Sequence, residues 1–179
     1  MKIYIVSGKA RHGKDTICGY IKKIYEADGK KVINLSYGSY IKMYARNISN
    51  WDGQDDDKPR ALLQKLGTDI REKFDANFFI NRICEDIKVY SCFFDVITIS
   101  DARFIDEIKI PREKFQNVIS IGVIRDNYLS ELSKNEQKHL TETALDGYNS
   151  YDYLVHNDSD LVSLEAKIKK IVKKVEHEY

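Results

Sequence analysis

The sequence predicts an α/β fold in which helices cover both faces of a five-stranded parallel sheet. Short runs of β-branched residues alternate with longer segments of helical periodicity, which is the pattern of β-α-β units. Several of these runs are almost entirely apolar, as expected for strands that are buried on both faces. The predicted strands are 3–6, 32–35, 96–99, 118–124 and 153–155.

Apolar residues at helical spacing predict the helices between these strands. Gly29 follows the first helix as a stop signal, and Pro59 suits the first turn of another. The predicted helices are 14–26, 39–46, 59–66, 77–90 and 161–175, and two polar insertions, 49–58 and 125–143, stand between elements. At 179 residues the chain fits a single domain spanning 1–179.

Composition excludes several classes of function. A formal charge of +1 and a pI near 7.7 provide no basic excess for binding nucleic acid or a membrane surface. The three cysteines have no C-x-x-C spacing, so neither a disulfide framework nor a zinc site is indicated. No run approaches the ~20 apolar residues of a membrane span, and the N-terminal apolar run is too short for a signal peptide. We therefore expect a cytoplasmic protein.

The segment GKARHGKDT, residues 8–16, has the features of a phosphate-binding loop. It matches G-x-x-x-x-G-K-[ST] with Asp15 inserted before the hydroxyl residue. Glycines let backbone N–H groups close on an anion, the lysine reaches the β- and γ-phosphates, and the hydroxyl binds Mg²⁺. A surface turn is the simpler alternative, but a predicted strand precedes this loop and a helix follows it. The predicted ATP-binding residues here are Gly8, Arg11, His12, Gly13, Lys14, Asp15 and Thr16.

A second polar segment, SDARF, follows the third predicted strand. Ligands of open α/β sheets bind outside the carboxyl ends of strands. Asp101 is thus placed to hold Mg²⁺, directly or through water, and Arg103 to hold a phosphate oxygen. The alternative is a strand-end turn with a surface salt bridge.

Cationic residues elsewhere are candidates for binding an acceptor that carries its own phosphate, since arginine matches phosphate in bidentate geometry. Lys42, Arg60, Gln64 and Arg71 lie in the helical middle section, although each alone has the alternative of being a solvated surface residue. Arg125 opens the second polar insertion, where it would act on the transferring group from a lid. His139 and Glu142, in HLTE, are candidates for a local hydrogen-bonded pair, but a lone histidine is more often structural and is not assigned to the catalytic set.

The segments SGKARHGKDT, RALLQKLGTDIREKF, ISDARFIDEI and HLTE together resemble the deoxynucleoside monophosphate kinases of phages and their bacterial relatives. The resemblance runs nearly end to end and implies a P-loop NTPase fold of the nucleoside monophosphate kinase type, with three α/β/α layers. Animal-type phosphomevalonate kinase has a similar loop and D-x-R turn and is the second candidate. The sequence lacks the closely spaced arginine pair of adenylate kinase lids.

The resemblance implies ATP-dependent phosphorylation of a (deoxy)nucleoside monophosphate, with ATP and Mg²⁺ as cofactors. It assigns acceptor phosphate to Arg60, Arg71 and Arg103, a base contact to Gln64 and the vicinity of adenine to Asn157. It also implies a helical acceptor-binding section at about 38–92 and a lid at about 125–143, and it is consistent with a homodimer. The predicted catalytic residues are Lys14, Asp101, Arg103 and Arg125, and the metal ligands Thr16 and Asp101. A phosphomevalonate kinase-like enzyme and a non-catalytic ATP-binding regulatory module remain the alternatives.

Overall fold

The computed structural model describes residues 1–54, 59–126 and 128–178, and it contains the predicted five-stranded sheet. All neighbouring strands are parallel, and their order is β2-β3-β1-β4-β5. The strands are β1 (Lys2–Ser7), β2 (Val32–Leu35), β3 (Val96–Ala102), β4 (Val118–Ile124) and β5 (Tyr153–His156). The carboxyl ends of β1, β3 and β4 lie side by side at the centre of the sheet.

The helices are α1 (Lys14–Ala27), α2 (Tyr37–Ile48), α3 (Arg60–Lys73), α4 (Phe78–Tyr90), α5 (Asp106–Lys114), α6 (Lys134–Gln137), α7 (Leu140–Thr143) and α8 (Leu161–Glu178). Helices α1, α2, α3 and α8 continue beyond the ends of the predicted ones. Helix α3 continues past 66, where the prediction ended. Helices α5, α6 and α7 were not predicted, and the last two lie within the predicted lid.

Two hydrophobic cores lie on opposite faces of the sheet. On one face α1 and α8 pack together, with Ile17 and Ile168 fully buried. On the other face α2, α4 and α5 cover the strands, and Phe79, Ile83 and Ile108 are almost fully buried. Helix α3 packs mainly against α2. The predicted three-layer α/β/α architecture is confirmed.

Helix α5 contains a proline, and the carbonyl that this proline leaves without a donor is bonded by a residue of α2. Pro111 has no N–H group, so it cannot donate to the carbonyl of Glu107 four residues earlier. The buried hydroxyl of Tyr37, at the start of α2, donates to that carbonyl instead, at 2.7 Å. The first turn of α5 is thereby fixed against the element that follows β2.

Cys18 and Cys84 are buried free thiols and Cys92 is an exposed one. No helix in the part of the chain that the structure describes is long and apolar enough to cross a membrane. In the first polar insertion Trp51 is buried, and its indole N–H donates to the Gln54 carbonyl at 2.8 Å. The remainder of that insertion, 55–58, and residue 127 of the second lie outside the described residues.

Candidate active site

The loop between β1 and α1 has a backbone that only glycine accommodates at two positions. Gly13 has a φ of +102°, and a Cβ there would lie 2.8 Å from Nδ2 of Asn157. At Gly8, with a φ of +153°, a Cβ would lie 2.5 Å from the carbonyl oxygen of Val123. The loop therefore passes directly against β4 and the segment after β5, and it leads into the amino end of α1. This is the predicted placement of a phosphate-binding loop.

Lys14 is the first residue of α1, and its ammonium group turns back over the loop. Nζ donates to the carbonyl of Lys9 at 2.8 Å, and the residue is only 7% exposed. Burial lowers the pKa of Lys14 to about 8, and the positive charge of Arg103 acts in the same direction. An incoming anion would thus find a desolvated cation beside the backbone amides of the loop.

Asp101, at the end of β3, holds the start of α2. Its carboxylate accepts hydrogen bonds from the Ser36 hydroxyl at 2.7 Å and from the backbone N–H groups of Tyr37 and Gly38, both at 2.8 Å. A carboxylate offers about four acceptor positions, so three are in use. The sequence did not indicate this capping role, and it limits any approach of Asp101 to a metal ion to the remaining position or to a bridging water.

Arg103 and the phosphate-binding loop meet at the carboxylate of Glu142 on α7. One oxygen of Glu142 accepts from Nη1 of Arg103 at 2.7 Å, and the other accepts from the backbone N–H of Ala10 at 2.9 Å. The carboxylate therefore lies on two groups that would bind a phosphate oxygen. Sequence reasoning missed this arrangement, because 132 residues separate Ala10 from Glu142.

His139 and Glu142 are hydrogen-bonded through the backbone, because the N–H of Glu142 donates to the His139 carbonyl at 2.8 Å, whereas the His139 side chain bonds elsewhere. Nδ1 of His139 lies 2.9 Å from the hydroxyl of Thr141 and accepts from its backbone N–H at 3.3 Å. His139 thus caps the amino end of α7. This cap leaves Glu142 free to reach across to the loop.

A cavity of about 600 Å³ opens between the loop, Arg103 and the segment that precedes β5. Tyr148 and Tyr151 form its aromatic wall with ring centroids 4.8 Å apart. The Tyr151 ring packs on Gly122, where a Cβ would lie 2.7 Å from it, and its hydroxyl accepts from the Ser7 hydroxyl at 2.8 Å. No sequence pattern indicated this wall.

Arg125 lies at the rim of this cavity, beside the loop. Its guanidinium stacks on the Tyr128 ring at 4.7 Å, and Nη1 donates to the Arg11 carbonyl at 3.4 Å. Its backbone N–H donates to Nδ1 of His12 at 3.2 Å. Burial lowers the pKa of His12, which favours the neutral imidazole that can accept this bond. Arg125 therefore lies beside the loop, and its action on the transferring group from a lid stays a prediction.

The other predicted acceptor residues fall into two groups. Arg60 lines a smaller cavity of about 120 Å³ together with Ala10 and Arg11, so it lies near the loop. Arg71 lines neither cavity, because its guanidinium is held by aromatic rings and a buried carboxylate. Lys42 and Gln64 are also not among the residues that line these two cavities. Direct contact of these three residues with substrate stays a prediction.

Three further predicted ATP-binding residues lie in or beside the loop. The side-chain amide of Asn157 donates to the His12 carbonyl at 3.1 Å, so Asn157 supports the loop backbone. Asp15 is exposed in the first turn of α1, where a carboxylate interacts favourably with the helix dipole. Thr16 is half-buried in the same turn.

The donor set suits magnesium rather than a metal held by protein alone. Within 1–54, 59–126 and 128–178 no group of three or more His, Cys, Asp or Glu residues has a metal-binding arrangement. Mg²⁺ in phosphate-transferring sites typically has few protein ligands and takes the rest from substrate phosphates and water. The hydroxyl of Thr16 and the carboxylate of Asp101 are oxygen donors of that kind.

Comparison with known proteins provides a family and a fold. A family model described as deoxynucleotide monophosphate kinase matches residues 28–168. The match begins after the phosphate-binding loop, so the loop is separate evidence. No curated protein matches the chain.

Among solved structures, TT1252 from Thermus thermophilus is 14% identical with a TM-score of 0.56. The dephospho-CoA kinase from Campylobacter jejuni is 14% identical with a TM-score of 0.53. Each comparison covers 97% of both chains, and at this identity the likeness shows the fold alone.

Proposed function

The chain belongs to the deoxynucleotide monophosphate kinase family, and from that premise we propose how its site transfers a phosphoryl group from ATP to a deoxynucleoside monophosphate. The observation that carries the proposal is the convergence of Arg103 and the Ala10 amide on one carboxylate, that of Glu142, which lines the 600 Å³ cavity. Two donors aimed at one anion, beside space for a nucleotide, are what transfer between phosphates requires.

On the donor side, the loop amides and Lys14 hold the β- and γ-phosphates of ATP. Thr16 would hold Mg²⁺ directly and Asp101 through water, and the ion would neutralise charge on the phosphates. The ammonium of Lys14 is already desolvated, so its attraction to the transferring group is stronger than it would be in bulk water.

On the acceptor side, the monophosphate would occupy the large cavity. Its base would lie against Tyr148 and Tyr151, and its phosphate would replace the Glu142 carboxylate on Arg103. Arginine favours this role because its planar guanidinium binds phosphate in bidentate geometry. Holding both phosphates in line supplies most of the catalysis of phosphoryl transfer.

The segment 125–143 would act as the lid, whereas α2 to α4, which lie in the predicted acceptor-binding section, provide none of the residues that line the large cavity. Arg11 of the loop forms an ion pair with Glu131 of this lid, which supports direct contact between the two. Closure excludes water from the site and so prevents hydrolysis of ATP. We expect this single-domain enzyme to act in the cytoplasm, and sizing chromatography would test the homodimer that the resemblance suggests.

The test is a coupled assay of ADP release with a panel of deoxynucleoside monophosphates and ribonucleoside monophosphates, and with phosphomevalonate. We expect stimulation by one or more deoxynucleotides. Stimulation by phosphomevalonate alone would favour the phosphomevalonate kinase alternative, and stimulation by none would refute the proposal. Lys14→Ala should lower kcat by about a hundredfold or more, by analogy with lost oxyanion donors. The matched control is Lys23→Ala, since Lys23 is an exposed lysine of the same helix that pairs with Glu165.

A further inference from the structure

Glu107 is a buried carboxylate next to the candidate active site, and it lines neither of the two cavities. It belongs to the first turn of α5 and is only 2% exposed. Oε2 accepts from the backbone N–H groups of Arg103 at 2.6 Å and Phe104 at 3.1 Å. Oε1 accepts from Nη2 of Arg71 at 3.3 Å. One carboxylate therefore holds the turn after β3 and a side chain of α3 at the same time.

Arg71 is fixed on its other sides by aromatic rings. Its guanidinium lies 4.4 Å from the centroid of Phe104 and 5.0 Å from that of Phe79. It also donates to the Gly67 carbonyl at 3.1 Å. Because Phe104 belongs to the turn that Glu107 anchors, the turn and the carboxylate hold Arg71 together. This contact joins α3 to the edge of the sheet where the site lies.

The partners of Glu107 offset only part of the cost of burying its charge. Burial raises the pKa of Glu107 to about 7, while the Arg103 amide and the Arg71 charge act in the opposite direction. Replacing a buried ion pair by packed apolar residues is often neutral for stability. Loss of this pair should therefore change the positions of Arg71 and of the turn at Arg103 more than it changes stability.

We propose that Glu107 is a positioning residue of phosphoryl transfer, which directs Arg103 through the backbone of its turn and couples that turn to Arg71. The inference rests on the proposed function. Arg103 lines the cavity, where it would bind the acceptor phosphate. If the turn moves, the guanidinium moves with it, and a displacement of about 1 Å is enough to lower rates strongly.

The experiment is steady-state kinetics of Glu107→Gln, with each substrate varied in turn. A glutamine has a single acceptor oxygen, so it cannot serve both the two amides and Arg71, and its NH₂ group would face a donor. We expect the KM for the deoxynucleoside monophosphate to rise about tenfold. Loss of a residue that orients a metal ligand commonly weakens metal affinity by a similar factor. The KM for ATP should change less than twofold, because Glu107 does not contact the phosphate-binding loop.

The matched control is Glu176→Gln at the opposite end of the sheet. Like Glu107, Glu176 accepts hydrogen bonds and pairs with a cation: its donors are the Tyr25 hydroxyl, at 2.7 Å, and Lys2, although its side chain is 47% exposed. Both KM values should stay within twofold of wild type in this variant. Arg71→Met keeps an unbranched side chain between the rings and should raise the acceptor KM in the same way. In the double variant with Glu107→Gln the two effects should not add.

Failure of this inference can be separated from failure of the proposed function. A folded Glu107→Gln variant with an unchanged acceptor KM, or with equal increases in both KM values, refutes positioning. If Glu107→Gln does not fold, Arg71→Met carries the same kinetic test. If wild type phosphorylates no monophosphate, the proposed function fails, and hydrogen exchange decides about Glu107. Exchange of the Arg103 and Phe104 amides should be at least about tenfold faster in Glu107→Gln than in Glu176→Gln, and equal exchange refutes the anchoring.

Discussion

The buried ammonium of Lys14 predicts that ATP affinity falls at alkaline pH. In the ligand-free protein the pKa of Lys14 is lowered from 10.5 to about 8, because the group is desolvated and faces Arg103. Only the charged form attracts phosphate. The charged fraction should fall from roughly nine-tenths at pH 7 to about half at pH 8 and about a tenth at pH 9.

The size of the effect follows from that fraction. Apparent Kd is the intrinsic Kd divided by the competent fraction, so the Kd for ATP should rise about tenfold between pH 7 and pH 9. Stability should respond with the opposite sign. Unfolding returns Lys14 to a pKa of 10.5, so between about pH 8 and 10.5 the unfolded chain binds more protons and this group's contribution to stability rises with pH.

Calorimetric titration with ATP at several pH values measures this dependence. Lys14→Arg is the control, because a guanidinium stays charged throughout the range and its Kd should vary less than twofold. A flat Kd in the wild type would refute the reasoning. An equally steep rise in Lys14→Arg would refute it as well, since another group would then be titrating.

Three further substitutions test individual contacts. Gly13→Ala places a Cβ 2.8 Å from Asn157 at a φ of +102°, and this strain of about 1–3 kcal/mol should weaken ATP binding about tenfold or more in calorimetry. Unchanged affinity would mean that the loop relaxes. Gly122→Ala would place a Cβ only 2.7 Å from the Tyr151 ring, which should therefore be displaced. This variant should lower the free energy of unfolding by about 1–3 kcal/mol in urea titration. An unaltered midpoint would contradict that packing. Glu142→Gln should tighten tripolyphosphate binding about tenfold, because a charge that competes for Arg103 is removed, and weaker binding would instead show that Glu142 supports the site.

The fold and the phosphate-binding loop were predictable because their signals are local. Apolar runs mark the strands, and the loop concentrates glycines, lysine and a helix start within nine residues. Helix α5 was missed because Pro111 interrupts it and only a distant hydroxyl, that of Tyr37, compensates for the missing N–H group. A sequence pattern contains no sign of such compensation.

The rest of the candidate site depends on contacts between distant segments. Asp101 was recognised as a strand-end carboxylate, but its partner Tyr37 lies 64 residues away. Glu107 and Arg71 are 36 residues apart, and each alone resembles an ordinary helix surface charge. Spacing rules cannot detect these pairs, because the chain returns to the same sheet edge only after folding.

Under the proposed function, the hydrogen bonds of Asp101 mean that the two substrate phosphates would be bound by different kinds of group, one by backbone amides and the other by side chains. Its carboxylate already lies at the amino end of α2, so the positive end of that helix dipole is neutralised from within the protein. The amino end of α1 stays available to a phosphate, in a buried setting. The acceptor phosphate would depend instead on the guanidinium of Arg103, whose side chain is 23% exposed, so dissolved ions would screen that attraction more effectively. Rising ionic strength should therefore weaken acceptor binding more than ATP binding, and substrate preference would respond to salt as well as to shape.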